Sequence, residues 1–297
     1  MTVPKSVRPR RSVLYMPASN ARAIEKARDL ACDAVILDLE DAVAPDAKPR
    51  ARLQAAAAVR QGGFGRREVV IRCNGLDTPW GADDLAAAAE AGPDAVLVPK
   101  VASAADIAAY DAAIARAPAK TRLWAMIETC AAVLDLKAIA ASREGRLDAL
   151  ALGLNDLAKE MGARQTPDRA PMQAVLTLAV AAGRANGLVV LDSVCNDLDN
   201  PVVLEAVCRQ GSDFGFDGKT LIHPSQIEAA NRLFSPDPAD VAWARAVIKA
   251  FADPANAGKG ALRVEGQLAE RLHLAQAERL VGMADAIAAA ESERKRL

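Results

Sequence analysis

Short apolar runs alternate with longer, alanine-rich stretches along most of this chain, and that alternation constrains the fold more than any single motif. Ala34-Val35-Ile36-Leu37, Val69-Val70-Ile71, Ala95-Val96-Leu97-Val98 and Ala149-Leu150-Ala151-Leu152 are apolar at every position. A strand with one wet face would alternate apolar with polar residues. A continuous run reads instead as a strand buried on both faces, the kind found in parallel α/β sheets. Strands are predicted at Ser12–Met16, Ala34–Leu39, Glu68–Arg72, Ala95–Val98, Arg122–Ile127, Ala149–Leu152, Leu188–Leu191 and Phe214–Phe216. Helices are predicted to follow them at Asn20–Leu30, Pro49–Arg60, Trp80–Ala91, Ala104–Ala115, Val133–Ala141, Met172–Ala185, Val202–Gln210 and Pro224–Leu233. Eight βα units in about 230 residues are what a (β/α)8 TIM barrel requires. Alanine supports the helices and lets them lie close against a barrel.

Beyond Ser235-Pro236-Asp237-Pro238 the pattern changes, which divides the chain into a barrel domain, 1–235, and a C-terminal helical tail, 236–297. A helix is predicted from about Ala239 to Phe251, then a loop with Gly258 and Gly260. A helical stripe of Leu268, Leu272, Ala275, Leu280, Met283 and Ile287 follows. The tail exceeds what a barrel needs. It could pad the barrel, cover its mouth or reach a neighbouring subunit.

Composition narrows the function. The 297 residues are 52% hydrophobic, yet mean hydropathy is only +0.06, so a soluble protein with a sizeable core is expected. A net charge of -1 and a pI near 6.2 give no basis for a nucleic-acid surface. No apolar run approaches a membrane span. The five cysteines, Cys32, Cys73, Cys130, Cys195 and Cys208, form no CxxC pair and fit buried thiols in a reducing cytoplasm. The arm with Lys5, Arg8, Arg10 and Arg11 lacks an apolar segment, so it does not read as a secretory signal. Lys5 and Arg8 read as a frayed basic tail.

Carboxylates stand just past several predicted strands. Glu128 follows Leu123–Ile127, Asp156 follows Ala149–Leu152 by a short turn, and Asp38, Glu40 and Asp41 end the second strand. Such residues could be solvated helix caps. Glu128 and Asp156, from neighbouring fifth and sixth strands, could equally hold Mg²⁺, which commonly takes one or two carboxylates and completes its shell with water and substrate. Mn²⁺ would suit the same donors. With only His223 and His273 in the chain, a histidine-rich zinc or iron site is not expected. Arg72, after Val69-Val70-Ile71, could fork onto a carboxylate or a forming oxyanion, or simply pair with Asp38 or Glu40. Asp38, Glu40 and Arg72 are therefore grouped as candidate catalytic residues. Lys100, after Pro99, could be a Schiff-base lysine or an anion-binding one; nothing local argues for a depressed pKa. Arg22 and Lys26, at i and i+4 on the first helix, could meet phosphate or form a solvated basic face.

Together these segments resemble the citrate lyase beta subunit-like family, within the metal-dependent HpcH/HpaI aldolase superfamily acting on acyl-CoA. The matching stretches are Arg11–Asn20, Asp38-Leu39-Glu40-Asp41-Ala42-Val43, Arg72-Cys73-Asn74-Gly75, Pro99-Lys100, Ile127-Glu128-Thr129, Leu152–Leu157, and Phe216-Asp217-Gly218-Lys219 with Ile222-His223-Pro224. The resemblance implies Mg²⁺ at Glu128 and Asp156, and Arg72 as the substrate- and oxyanion-binding arginine. It implies coenzyme A over the barrel mouth, near Arg11, Arg22, Lys26, Pro99 and Lys100. It also implies homotrimers or homohexamers, with a tail carboxylate closing over a neighbour's site. In lyases of this kind that residue is typically Asp; the matching stretch here is Gly266-Gln267-Leu268-Ala269-Glu270, with Glu270 in its place. The expected activity is a Mg²⁺-dependent carbon–carbon lyase joining or cleaving a malyl- or citramalyl-type CoA thioester and a small 2-oxo acid, glyoxylate or pyruvate. Alternatives are a malyl-CoA thioesterase, a citryl-acyl-carrier-protein lyase subunit and a non-catalytic CoA-binding regulator.

Overall fold

The computed structural model describes residues 8–294; Lys5 lies outside them. Among these residues the chain forms two compact units, one from Arg10 to Phe234 and one from Ser235 onward with Arg8 and Pro9. No helix of the described residues is long and apolar enough to cross a membrane.

The first unit is a closed barrel of eight parallel strands in sequential order. In chain order it runs β1 (Ser12–Pro17), α1 (Ala21–Ala27), β2 (Ala34–Asp38), α2 (Lys48–Gln61), β3 (Glu68–Arg72), α3 (Gly81–Ala91) and β4 (Ala95–Val98). It continues with α4 (Ala104–Ala113), β5 (Arg122–Ile127), α5 (Cys130–Leu134), α6 (Leu136–Ala141), β6 (Leu147–Leu152), α7 (Leu154–Met161) and α8 (Gln173–Asn186). It ends with β7 (Val189–Asp192), α9 (Pro201–Phe214), β8 (Gly218–Leu221) and α10 (Ile227–Leu233). β1 closes the ring on β8, Ser12 opposite Lys219 and Leu14 opposite Leu221.

Side chains alternate across each strand, so one parity fills the barrel and the other meets the helices. Val13, Ala34, Ile36, Val70, Ala95, Leu97, Trp124, Met126, Ala149, Ala151 and Leu191 form the inner cluster. Leu14, Val35, Leu37, Ile71, Val96, Val98, Leu123, Ile127, Leu150 and Leu152 belong to the shell beneath the helices. Steps of two along the inner rows lead from Ile36 to Asp38, from Val70 to Arg72, and from Met126 to Glu128. The same parity that builds the core therefore aims these three charged groups inward at the C-terminal mouth. At the opposite end Arg10 bonds Glu68 and Asp148 and lies 5.0 Å over the Trp124 ring, a polar floor.

The expected eighth strand, Phe214–Phe216, is displaced. Phe214 ends α9, Gly215 caps it, and the strand is Gly218-Lys219-Thr220-Leu221. Lys219 interrupts the apolar run, yet it is fully buried because Asp192 accepts from its ammonium at 3.0 Å and the Ser193 carbonyl also accepts. Without such partners, a buried ammonium would cost several kcal/mol. A further helix not anticipated, α7, follows β6 directly, so Asp156 stands in its first turn.

The second unit pairs α11 (Pro238–Ala252) with α12 (Arg271–Arg294) and a hairpin of β9 (Ala261–Val264) and β10 (Gln267–Glu270). The hairpin corrects the start of the expected helical stripe: Leu268 lies on β10, and the helix begins only at Arg271. The hairpin's two-residue turn places Glu265 at φ 49° and Gly266 at φ 86°, the doubly left-handed turn that matches the twist of paired strands. Ala244, Val247, Leu262, Val264, Ala269 and Ala277 form this unit's core.

Candidate active site

Arg72 is held on several sides. Its Nε and Nη2 donate to the two oxygens of Asp38 at 2.6 and 2.7 Å. Its Nη1 donates to Asp41 at 3.1 Å and lies 2.8 Å from Glu40 Oε2. That last contact is an ion pair without hydrogen-bond geometry, since the buried Glu40 Oε2 has no hydrogen-bond partner. The Tyr15 ring stacks 4.7 Å from the guanidinium carbon. Asp38 also accepts the N–H groups of Glu40 and Ala42 at 2.9 and 3.0 Å, so it shapes the loop after β2 as well as the arginine. From behind, the buried Lys48 ammonium donates to the Leu39 and Glu40 carbonyls and to Asn74.

Burial pushes the Glu40 carboxyl up to about 8 against the pull of Arg72, and the nearby Asp41, Glu128 and Asp38 charges add to the rise. Glu128, 2% exposed, is likewise raised by burial, with Lys100 opposing. Across the mouth, Lys100 bridges the remaining carboxylates. Its backbone N–H donates to Glu128 Oε1 at 2.8 Å, its ammonium is 3.6 Å from the same oxygen, and it pairs with Asp156.

A cleft of about 290 Å³ joins these groups; Tyr15, Asp41, Arg72, Glu128, Asp156 and Ser193 stand in its wall. Asn155, Asn196 and Thr220 add further polar surface. The structure thus brings together Asp38, Glu40, Arg72, Lys100, Glu128 and Asp156. Pro99 lies beside them, its carbonyl accepting from the Tyr110 hydroxyl. Arg22 and Lys26 stand exposed on α1. Arg11 precedes β1, at the end of the barrel opposite the cleft, and forks onto Asp33 at 2.9 Å. Glu270 belongs to the second unit, where its N–H donates to His273 Nδ1 at 2.9 Å. Sequence reasoning did not single out Tyr15, Asp41, Ser193, Asn196 or Thr220 as site residues. Strand parity through Val13 could have found Tyr15; Thr220 lies on the displaced β8, and Asp41, Ser193 and Asn196 lie in loops beyond the strands.

The residues present fit a divalent cation of the magnesium type. Glu128, just past β5, and Asp156, in the first turn of α7, face one point, and the Lys100 ammonium already stands between them. Hard oxygen donors, with room in the cleft for water, suit such an ion. Among the described residues no group of three or more His, Cys, Asp or Glu side chains forms a denser cage.

Residues 11–224 match the HpcH/HpaI aldolase/citrate lyase family, and the chain belongs to it. It is 48% identical over 281 residues to a (3S)-malyl-CoA thioesterase of Cereibacter sphaeroides, spanning 95% of this chain and 96% of that one. An L-malyl-CoA/beta-methylmalyl-CoA lyase of the same species is 34% identical over 312 residues, covering 96% and 98%. Among solved structures, CitE of Mycobacterium tuberculosis in complex with magnesium, acetoacetate and coenzyme A is 29% identical with a TM-score of 0.73, covering 93% of this chain and 98% of that one. The expectation of a carbon–carbon lyase is overturned by the first of these relatives, which is 48% identical where the lyase is 34%, each covering nearly all of this chain.

Proposed function

We propose that this chain is a divalent-metal-dependent thioesterase that hydrolyses a malyl-type CoA thioester to the free hydroxy-dicarboxylic acid and coenzyme A. The observation that carries this reading is the 48% identity over 95% of the chain to a (3S)-malyl-CoA thioesterase, combined with a cleft that holds Arg72, Glu128 and Asp156 together. At about 290 Å³ the cleft falls just under the roughly 300–1,000 Å³ of pockets that enclose drug-sized ligands. It suits the acyl end of a thioester and leaves the nucleotide outside, where the exposed Arg22 and Lys26 offer positive charge.

Glu128 and Asp156 would hold the metal, which supplies Lewis acidity and a template for the acyl group's carboxylate and hydroxyl. Arg72, fixed by its fork to Asp38 and stacked on Tyr15, presents its edge to the thioester oxygen as charge develops there. Asp41, exposed in the cleft, receives a proton from the attacking water. That water's oxygen bonds to the thioester carbon, the C–S bond breaks, and sulfur leaves with the electron pair and takes a proton. Glu40, whose carboxyl burial pushes up to about 8 and which lies against Arg72 behind the cleft wall, would supply that proton. The five cysteines are unpaired thiols, which supports a reducing, cytoplasmic setting.

The test is to incubate the pure protein with Mg²⁺ and (3S)-malyl-CoA and identify products by mass. Equal amounts of malate and free coenzyme A are expected. Acetyl-CoA and glyoxylate without free thiol would overturn the proposal.

A further inference from the structure

Lys100, two residues past the end of β4, has a left-handed backbone conformation, φ 52°. Non-glycine residues adopt it at a conformational cost and collect where surroundings fix them, often at functional sites. Here the same carboxylate meets both ends of the residue. Glu128 Oε1 accepts the Lys100 N–H at 2.8 Å and lies 3.6 Å from its ammonium, which also pairs with Asp156. The ammonium therefore occupies the point on which both candidate ligands converge. A divalent ion would need the same lone pairs, and two cations at such separation repel.

We propose that Lys100 is a resident counter-ion of the metal-free site, displaced when a divalent cation enters. The inference rests on reading Glu128 and Asp156 as the metal ligands. Without metal, the ammonium offsets repulsion between the two carboxylates and keeps their spacing. On metal entry it swings away along its flexible stem toward solvent, to which the side chain is already 42% exposed. The backbone N–H stays on Glu128, so the ligand keeps its orientation while the charge leaves. Lys100 thus lowers metal affinity and in return preserves a preformed site.

The test needs no substrate. Mn²⁺ is titrated into metal-free wild type and Lys100→Met, with free Mn²⁺ followed by electron paramagnetic resonance. Methionine keeps the backbone N–H and removes the charge. Lys100→Met should bind Mn²⁺ roughly two- to fivefold more tightly, the effect of removing one partly exposed competing ion pair. Its metal-free form should melt below wild type, and Mn²⁺ should raise its Tm by more. Lys100→Arg, which keeps the charge, should bind no more tightly than wild type. Equal or weaker binding by Lys100→Met overturns the counter-ion role while leaving the ligand assignment standing. If neither protein binds Mn²⁺, the ligand assignment fails and the inference with it. Should Lys100→Met not fold, Lys100→Gln carries the same expectations.

Discussion

Three carboxylates converge on the Arg72 guanidinium, and a single positive charge cannot compensate them equally. Asp38 takes the bidentate position, and the exposed Asp41 keeps solvent contact. Glu40 is the one left buried with an unbonded oxygen, so its neutral form is favoured until about pH 8. Folding stability registers this. The unfolded carboxyl ionises near the ordinary glutamate value of 4.5 and the folded one only near 8, so between those values the folded state binds more protons. Stability from this group is then present below about pH 4.5 and falls as pH rises, by about 1.4 kcal/mol per pH unit at most. Glu40→Gln removes that loss. Measured against wild type, its Tm should climb progressively from pH 5 to pH 8 and level off above. A Tm difference that stays constant from pH 5 to pH 9 would mean that Glu40 ionises normally. Of this site, Asp38, Arg72 and Glu128 were legible in sequence, because a two-residue period along an apolar run fixes which end groups point inward. The unequal treatment of Glu40 was not, since it depends on Lys48 and Arg72 closing over the loop from different elements.

At the scale of elements, the junction from β6 to α7 shapes the proposed metal site. Gly153 stands between them, and a Cβ there would lie 2.5 Å from both Cβ and Oε2 of Glu128. The Glu128 side chain occupies the volume that a side chain at this position would fill. Leu154, the first residue of α7, donates its N–H to Ser193 Oγ at 3.1 Å, tying the helix that carries Asp156 to the loop after β7. Gly153→Ala should therefore weaken Mn²⁺ binding by roughly 10–100-fold, the range for disturbing groups that orient metal ligands. A thermal melt would confirm that the variant is folded. Unchanged affinity would show that Glu128 can relocate without loss. This junction also marks a limit of pattern reading. Seven strands were recognised from apolar runs, but β8 was not, because its Lys219 needs Asp192 from β7 to be buried. The hairpin in the tail was likewise hidden: Leu268 and Leu272 fit a helical spacing although β10 ends between them.

For the whole molecule, the proposed role of the second unit rests on Glu270. Glu270 stands where the family resemblance expects a carboxylate that serves a neighbouring copy. Leu268 and Leu272, on either side of it, are 65% and 55% exposed, and exposed leucines flanking a charged group are suited to meeting another surface. If Glu270 works in a homo-oligomer by reaching another subunit's barrel, two broken chains can repair one another. Glu128→Ala has a defective barrel and an intact tail; Glu270→Ala has the reverse. Each alone should be inactive in thioester hydrolysis. Co-expressed in equal amounts, they should recover about a quarter of wild-type activity, because each site then has an even chance of an intact barrel and an even chance of an intact tail. Were Glu270 to act within its own chain, every chain in the mixture would lack one group and no activity would return. Were Glu270 merely paired with an exposed cation, its loss would be worth roughly 0–1 kcal/mol of stability, and Glu270→Ala would hydrolyse thioester at the wild-type rate by itself. The rates of the two single variants and of the co-expressed mixture separate these three cases.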